Sequence, residues 1–203
     1  MLKKQIKRTY RISKYVVYKE TMINYKEKFW SFVGSFLGIG IIAFIQSKFL
    51  PEQDNLFLIG SFGASSVLVY GVIQSPLAQP RNLIGGHLVS AVIGVSVCLL
   101  IPSIIWISAP LAVSLSIVAM QYTKTLHPPG GATALIAVTG SAQLKALGFY
   151  YLLFPVLSGV LILLLVALII NNITSLRKYP NEGRFANRIK WFIDPVRKIT
   201  SKK

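Results

Sequence analysis

The chain has 203 residues, 53% of them apolar, a formal net charge of +16 and a mean hydropathy of +0.59. Charged residues make up 14%, too few for an ordinary soluble domain of this length. The single cysteine, Cys98, excludes an intrachain disulfide and a cysteine-rich metal site.

The charges are segregated. Of the 22 Lys and Arg, nine lie in residues 1–28 and nine in 177–203, leaving Lys48, Arg81, Lys124 and Lys145 between. All six carboxylates (Glu20, Glu27, Glu52, Asp54, Glu182 and Asp194) lie outside the apolar stretch 55–176. This pattern describes an integral membrane protein with basic ends. Such ends beside membrane spans mark cytoplasmic tails, and they argue against a nucleic-acid partner. The N-terminal "MLKKQIKRTYRISKYVVYKE" is basic but lacks the apolar core and cleavage site of a signal peptide, so the first apolar run is expected to stay as an anchor.

Crossing the hydrocarbon core takes about 20 apolar residues in a helix. Read by that rule, the chain offers six apolar helical segments: 30–49, 56–73, 83–101, 104–122, 130–147 and 149–171. The expected fold is an all-α, polytopic helical membrane bundle. The division is a basic N-terminal segment (1–28), a transmembrane domain (29–176) and a basic C-terminal segment (177–203). Residues 10–28 and 184–199 mix aromatic, aliphatic and basic side chains, as interfacial amphipathic helices do. Two basic tails place both termini in the cytoplasm and require an even number of crossings. Four crossings result instead if 56–73 and 130–147, short and glycine-interrupted, are re-entrant.

An internal echo supports a repeat. "GASSVLVYG" (63–71) and "GATALIAVTG" (131–140) each form the middle of a set of three segments. An odd number of crossings per set inverts the second set, giving a 3+3 inverted repeat with short broken helices. Secondary transporters carry such segments at their substrate site. Small residues also recur wherever helices pack closely, which is the plainer explanation of the match.

"HPPGGAT" (127–133) reads as a helix start inside the membrane. Proline is tolerated in a first turn because its missing N–H would be orphaned anyway. Helix N-termini bind anions through free N–H groups. On this reading Gly63 and Gly131 open two opposed half-helices near the midplane. The backbone of Gly63, Ala64, Ser65, Ser66, Pro128, Pro129, Gly130, Gly131, Ala132 and Thr133 then surrounds a small anion, and Lys124 and His127 supply positive charge. The plainer role for His127 is to cap the helix. Arg81 and Asn82, in the connection "SPLAQPRN", read either as an anchor and cap or as a gate that guides anions. His87, after Gly85-Gly86, is assigned to the same gate, with packing the plainer alternative. Gly34, Gly38, Gly85, Gly86 and Gly94 read as packing notches.

The segments offer Arg81, His87, Lys124, His127 and Lys145 but no carboxylate, so a small anion suits them better than a cation. The sequence carries no carboxylate pair, no nucleophile with a base at plausible spacing, no Walker loop and no metal cluster. No enzyme, no metal and no cofactor is expected.

These residues resemble the HPP family of integral membrane proteins. "TKTLHPPGGATAL" (123–135) is similar to the family signature and "SFGASSVLVYGVIQSPLAQPRNLIGGHLVSAVIGV" (61–95) to its other well-defined block. The resemblance spans residues 28–180. It implies a four-helix membrane protein, at odds with six segments, and transport as the activity. Plastid and cyanobacterial relatives are linked to nitrite. Some bacterial relatives add a pair of nucleotide-sensing CBS modules, and this chain is expected to be a bare membrane domain.

The expectation is therefore a secondary transporter of a small inorganic anion, nitrite first, in a bacterial inner membrane. A passive anion channel, or a scaffold or accessory protein without substrate, are the alternatives. The partners expected are the anion and the bilayer. Glycine-rich faces permit a homo-oligomer without requiring one.

Overall fold

The structure, a computed structural model, describes residues 25–174 and 177–181. The proposed tail helices at 10–28 and 184–199 fall outside these residues, apart from 25–28. The described residues are helical, in the order α1 (Tyr25–Gln46), α2 (Glu52–Ser66), α3 (Pro80–Leu100), α4 (Ile105–Tyr122), α5 (Pro128–Thr139), α6 (Ala142–Ala146) and α7 (Ser158–Ile170). α2 runs on into a π-helical turn, Val67–Gly71, and another such stretch, Leu152–Leu157, leads into α7. Among the described residues, four helical stretches are long and apolar enough to cross a membrane: Tyr25–Gln46, Pro80–Leu100, Ile105–Tyr122 and Leu152–Ile170.

α2 and α5 occupy the two remaining apolar segments; α2 with its π-helical turn covers Glu52–Gly71 but opens on polar residues, and α5 is short. The 12 residues of α5 span about 18 Å at 1.5 Å per residue, well under the ~30 Å hydrocarbon core. Pro128 and Pro129 fix its start, and the extended Gly140 ends it.

Gly63 does not open a helix. α2 begins at Glu52 behind Pro51, whose extended backbone and ring are suited to a helix start, and Glu52 and Asp54 supply first-turn carboxylates. Gly63 lies well inside it. The N–H groups of Gly63–Ser66 therefore point back along the helix, toward carbonyls of the preceding turn. The irregularity expected of this segment lies at its other end, where the π-helical turn stops at Val72.

The exterior suits lipid rather than water. α1 buries one narrow stripe, Gly34, Gly38, Ile42 and Gln46, spaced four apart. Its remaining faces expose Phe29, Phe32, Phe36, Ile41 and Phe44. α4 likewise exposes Trp106, Leu115 and Val118. A bilayer solvates such faces, and it forces backbone polar groups to pair inside helices.

α5 sits innermost. It packs on α3, α4 and α2, while α1 packs on α2 and α7. The α3–α5 seam is close because it is lined by glycine. A Cβ on Gly94 would stand 2.6 Å from Ala134 O, and one on Gly130 would stand 2.8 Å from both Gly86 O and Ser90 Oγ. Gly34 and Gly38 make similar room for the Tyr70 ring.

Candidate functional site

Where α2, α3 and α5 meet, the described histidines come together. His87 and His127 are both fully buried, and their ring centroids lie 5.0 Å apart. Ser65 Oγ stands between them, 2.8 Å from His87 Nε2 and 3.0 Å from His127 Nε2. The other nitrogen of His87, Nδ1, lies 2.7 Å from Thr133 Oγ1. Thr133 Oγ1 in turn lies 3.1 Å from Ser61 Oγ, which donates to Pro129 O at 3.0 Å. At the far end, His127 Nδ1 is 2.8 Å from Leu77 O. A carbonyl accepts only, so this bond places a hydrogen on Nδ1 of His127.

Each position follows from local structure. Ser61 and Ser65 are one helical turn apart on α2 and face the same way. His127 stands just outside α5 with an extended backbone, so its ring projects sideways into the bundle. Its side chain makes no capping bond. The HPP histidine holds the N-cap position of α5 with its backbone, while its side chain belongs to the buried network. Its ring abuts α3 because Gly86 has no side chain: a Cβ there would run into His127 Cβ. Phe62 covers the His87 ring at 5.5 Å between centroids, and the Tyr151 hydroxyl donates to Thr133 O.

The backbone cradle expected at α5 is not present. Pro128 and Pro129 have no N–H. The Gly130 N–H is already bonded to His127 O at 2.8 Å. Gly131, Ala132 and Thr133 lie inside the helix. The polar groups at this site are side chains. Gly63–Ser66 do not act together either: Ser65 joins the histidines, while Ala64 is exposed. Gly63 and Ser66 line a lateral groove of about 490 Å³ between α1 and the end of α2, shared with Ser31, Ser35 and Tyr70.

Lys124 is exposed, in a left-handed turn at φ 55°, and contributes no bond to the network. Arg81 is exposed and donates to Thr123 O at 3.1 Å; Asn82 donates to Leu126 O at 2.8 Å. Both staple the 123–126 loop, and with it His127, to the start of α3. His87 is a member of the buried cluster and lies about 10 Å along α3 from Pro80.

The loop that supplies Leu77 O is itself held. The Tyr179 hydroxyl donates to Ala78 O, Gln79 donates to Ile73 O and Ser75 O, and Asn181 bonds to Gln79 and Gln74. Asn172 bonds the backbone of Tyr179 in both directions. Beside it, Arg177 is 2% exposed and donates to Tyr70 O, Asn171 Oδ1, Ser31 Oγ and Glu27 O. Asn171 also donates to Val69 O. These side chains serve carbonyls of the π-helical turn. Ser61, the Leu77 carbonyl, Tyr151 and Arg177 were not singled out in the sequence. The four-residue spacing of Ser61 and Ser65 was the available signal for the first.

The family model for the HPP transmembrane region matches residues 20–180. Two Dictyostelium discoideum proteins, both named transmembrane proteins, are 51% and 50% identical to this chain over 154 residues, or 74% of it. The chain spans about half the length of these relatives, 49% and 54%. No solved structure matches. With its apolar, lipid-suited helices and its buried His-Pro-Pro histidine, the chain is an integral membrane protein of the HPP transmembrane family.

Proposed function

We propose that this protein is a secondary transporter of a small inorganic anion, with nitrite the first candidate. The observation that carries the reading is the buried His87–Ser65–His127 cluster at the junction of α2, α3 and α5. Polar groups of this kind are costly within a membrane and mark pathways. The cluster contains imidazole and hydroxyl donors. The buried carboxylate of Asp54 is engaged elsewhere, accepting from the N–H and hydroxyl of Ser141. A site with donors and no anionic side chain suits an anion.

The anion would be met by side chains. Ser65, His87, His127 and Thr133 exchange a bond within the network for a bond to substrate. The six apolar segments form two inverted sets of three, with α2 and α5 as the middle members and both termini in the cytoplasm. In support, Ser65 and Thr133 hold the same place in the two Gly-Ala motifs, and both bond His87.

Nitrite uptake into proteoliposomes, with nitrate, bicarbonate and formate as competitors, tests the reading. Uptake driven uphill by an imposed proton gradient is the expected result. Flux that only equalises nitrite would make the protein a channel. An absence of flux, with His127→Ala altering stability alone, would leave a scaffold.

A further inference from the structure

The buried network is short of one hydrogen. It runs from one carbonyl to another: Leu77 O, His127, Ser65, His87, Thr133, Ser61, Pro129 O. Both ends accept only. Between them stand five groups joined by six contacts of 2.7–3.1 Å. With both rings neutral, each group holds one hydrogen, so five hydrogens serve six contacts. Wherever the hydroxyls turn, one contact brings two lone pairs together. The Ser61 carbonyl, 3.2 Å from Ser65 Oγ, competes for the same hydrogens.

We infer that the Ser65-bridged histidine pair is a binding site for one excess proton. That proton fills the sixth contact and makes one ring an imidazolium. Ser65 lets the charge move between the rings. As His87 Nε2–H passes its proton to Ser65 Oγ, the Ser65 hydroxyl proton passes to His127 Nε2. One N–H and one O–H bond break, one of each forms, and the net charge is unchanged. The groups in contact with the rings are Phe62 and Ser65 from α2, Thr133 from α5 and the Leu77 carbonyl. Tyr151, a further titratable group beside the network, is committed to Thr133 O. If the transport reading holds, on which this clause rests, the proton is the coupling ion and its charge offsets that of the anion.

The sequence holds two histidines, so selective ¹⁵N-histidine labelling of the full chain in nanodiscs reports on this pair alone. The titration covers about pH 5–8, where a free imidazole titrates. We expect a plateau on which three of the four ring nitrogens carry hydrogen, reached by uptake of one proton per chain. Ser65→Ala divides the network into pieces with one contact and one hydrogen, and three contacts and three hydrogens. It should therefore abolish the plateau. Thr133→Val breaks the network elsewhere and should do the same, whereas Ser65→Thr should preserve it.

Two N–H nitrogens throughout, or a direct step from two to four, would overturn the inference. So would a plateau that survives both Ser65→Ala and Thr133→Val. Nitrite flux with both rings neutral would defeat the proton site and leave transport standing. A plateau without nitrite flux would do the reverse.

Discussion

Ser65 and Thr133 hold opposite nitrogens of one imidazole, with Ser65 Oγ 2.8 Å from Nε2 of His87 and Thr133 Oγ1 2.7 Å from Nδ1. The two residues occupy the same place in "GASS" and "GATA", 68 positions apart, as shown by their numbers. The ring thereby locks α2 and α5 to α3. Removing it takes one partner from each of two buried hydroxyls and leaves a void. His87→Ala is expected to cost about 3 kcal/mol or more, from the cavity and the lost bonds together. Thermal unfolding of the purified protein in a mild detergent measures this, and an unchanged midpoint would rule out the interlock.

The α3–α5 seam gives a sharper contrast. Gly94→Ala places a methyl 2.6 Å from Ala134 O, and the helices must separate to admit it. The expected cost is about 1–3 kcal/mol. A methyl added to Gly40, on α1, would meet nothing within 4 Å. Gly40→Ala should gain about 0.5–1 kcal/mol through helix propensity. Opposite signs for one chemical change, read in the same unfolding experiment, test whether close approach or propensity governs each site.

Arg177 is a buried clamp on the π-helical turn. Its guanidinium donates to Tyr70 O at 2.6 Å and Asn171 Oδ1 at 2.9 Å, and it lies 3.5 Å from the Glu27 carboxylate. Arg177→Ala strands these acceptors and should destabilise by about 3–5 kcal/mol. Lysine cannot reproduce the planar fork, so Arg177→Lys should recover little. Glu27→Gln should cost about 1 kcal/mol, because the bond from Arg177 to the Glu27 backbone carbonyl remains. Equal losses for Glu27→Gln and Arg177→Ala would mean that the ion pair, and not the carbonyl clamp, carries the interaction.

Much of the architecture could be read from short-range pattern. Apolar runs located the helices, and Gly34, Gly38, Gly86 and Gly94 do make room for close packing. "HPP" marked a helix start within the bundle. The apolar segment begins at 56 while α2 begins at Glu52, because nothing near the polar Glu52–Asn55 reveals that Ser141 bonds Asp54. The anion cradle failed on local chemistry: two prolines remove the N–H groups that a cradle requires, and His127 O occupies the next. The partnership of His87 and His127 depends on helix packing across 40 positions, beyond any periodicity. Arg177 looked like one more basic tail residue, since the carbonyls it serves are exposed by a π-helical turn that composition does not signal.

The cations flanking the His-Pro-Pro string separate surface charge from buried chemistry. Lys124 is three residues from His127 but exposed, and Arg81 is exposed with its guanidinium on Thr123 O. If the buried network moves the anion, Lys124→Ala should leave nitrite flux within about twofold, since exposed charges contribute little at a distance in salt. His127→Gln retains bulk and one donor but cannot take up a proton. It should lower flux by about tenfold or more, the equivalent of losing a hydrogen bond to a charged group, about 1.5–3 kcal/mol. Initial rates in proteoliposomes at matched protein content decide between them. A Lys124→Ala loss as large as that of His127→Gln would move the functional charge from the buried rings to the surface, and the histidine network would then be a structural joint.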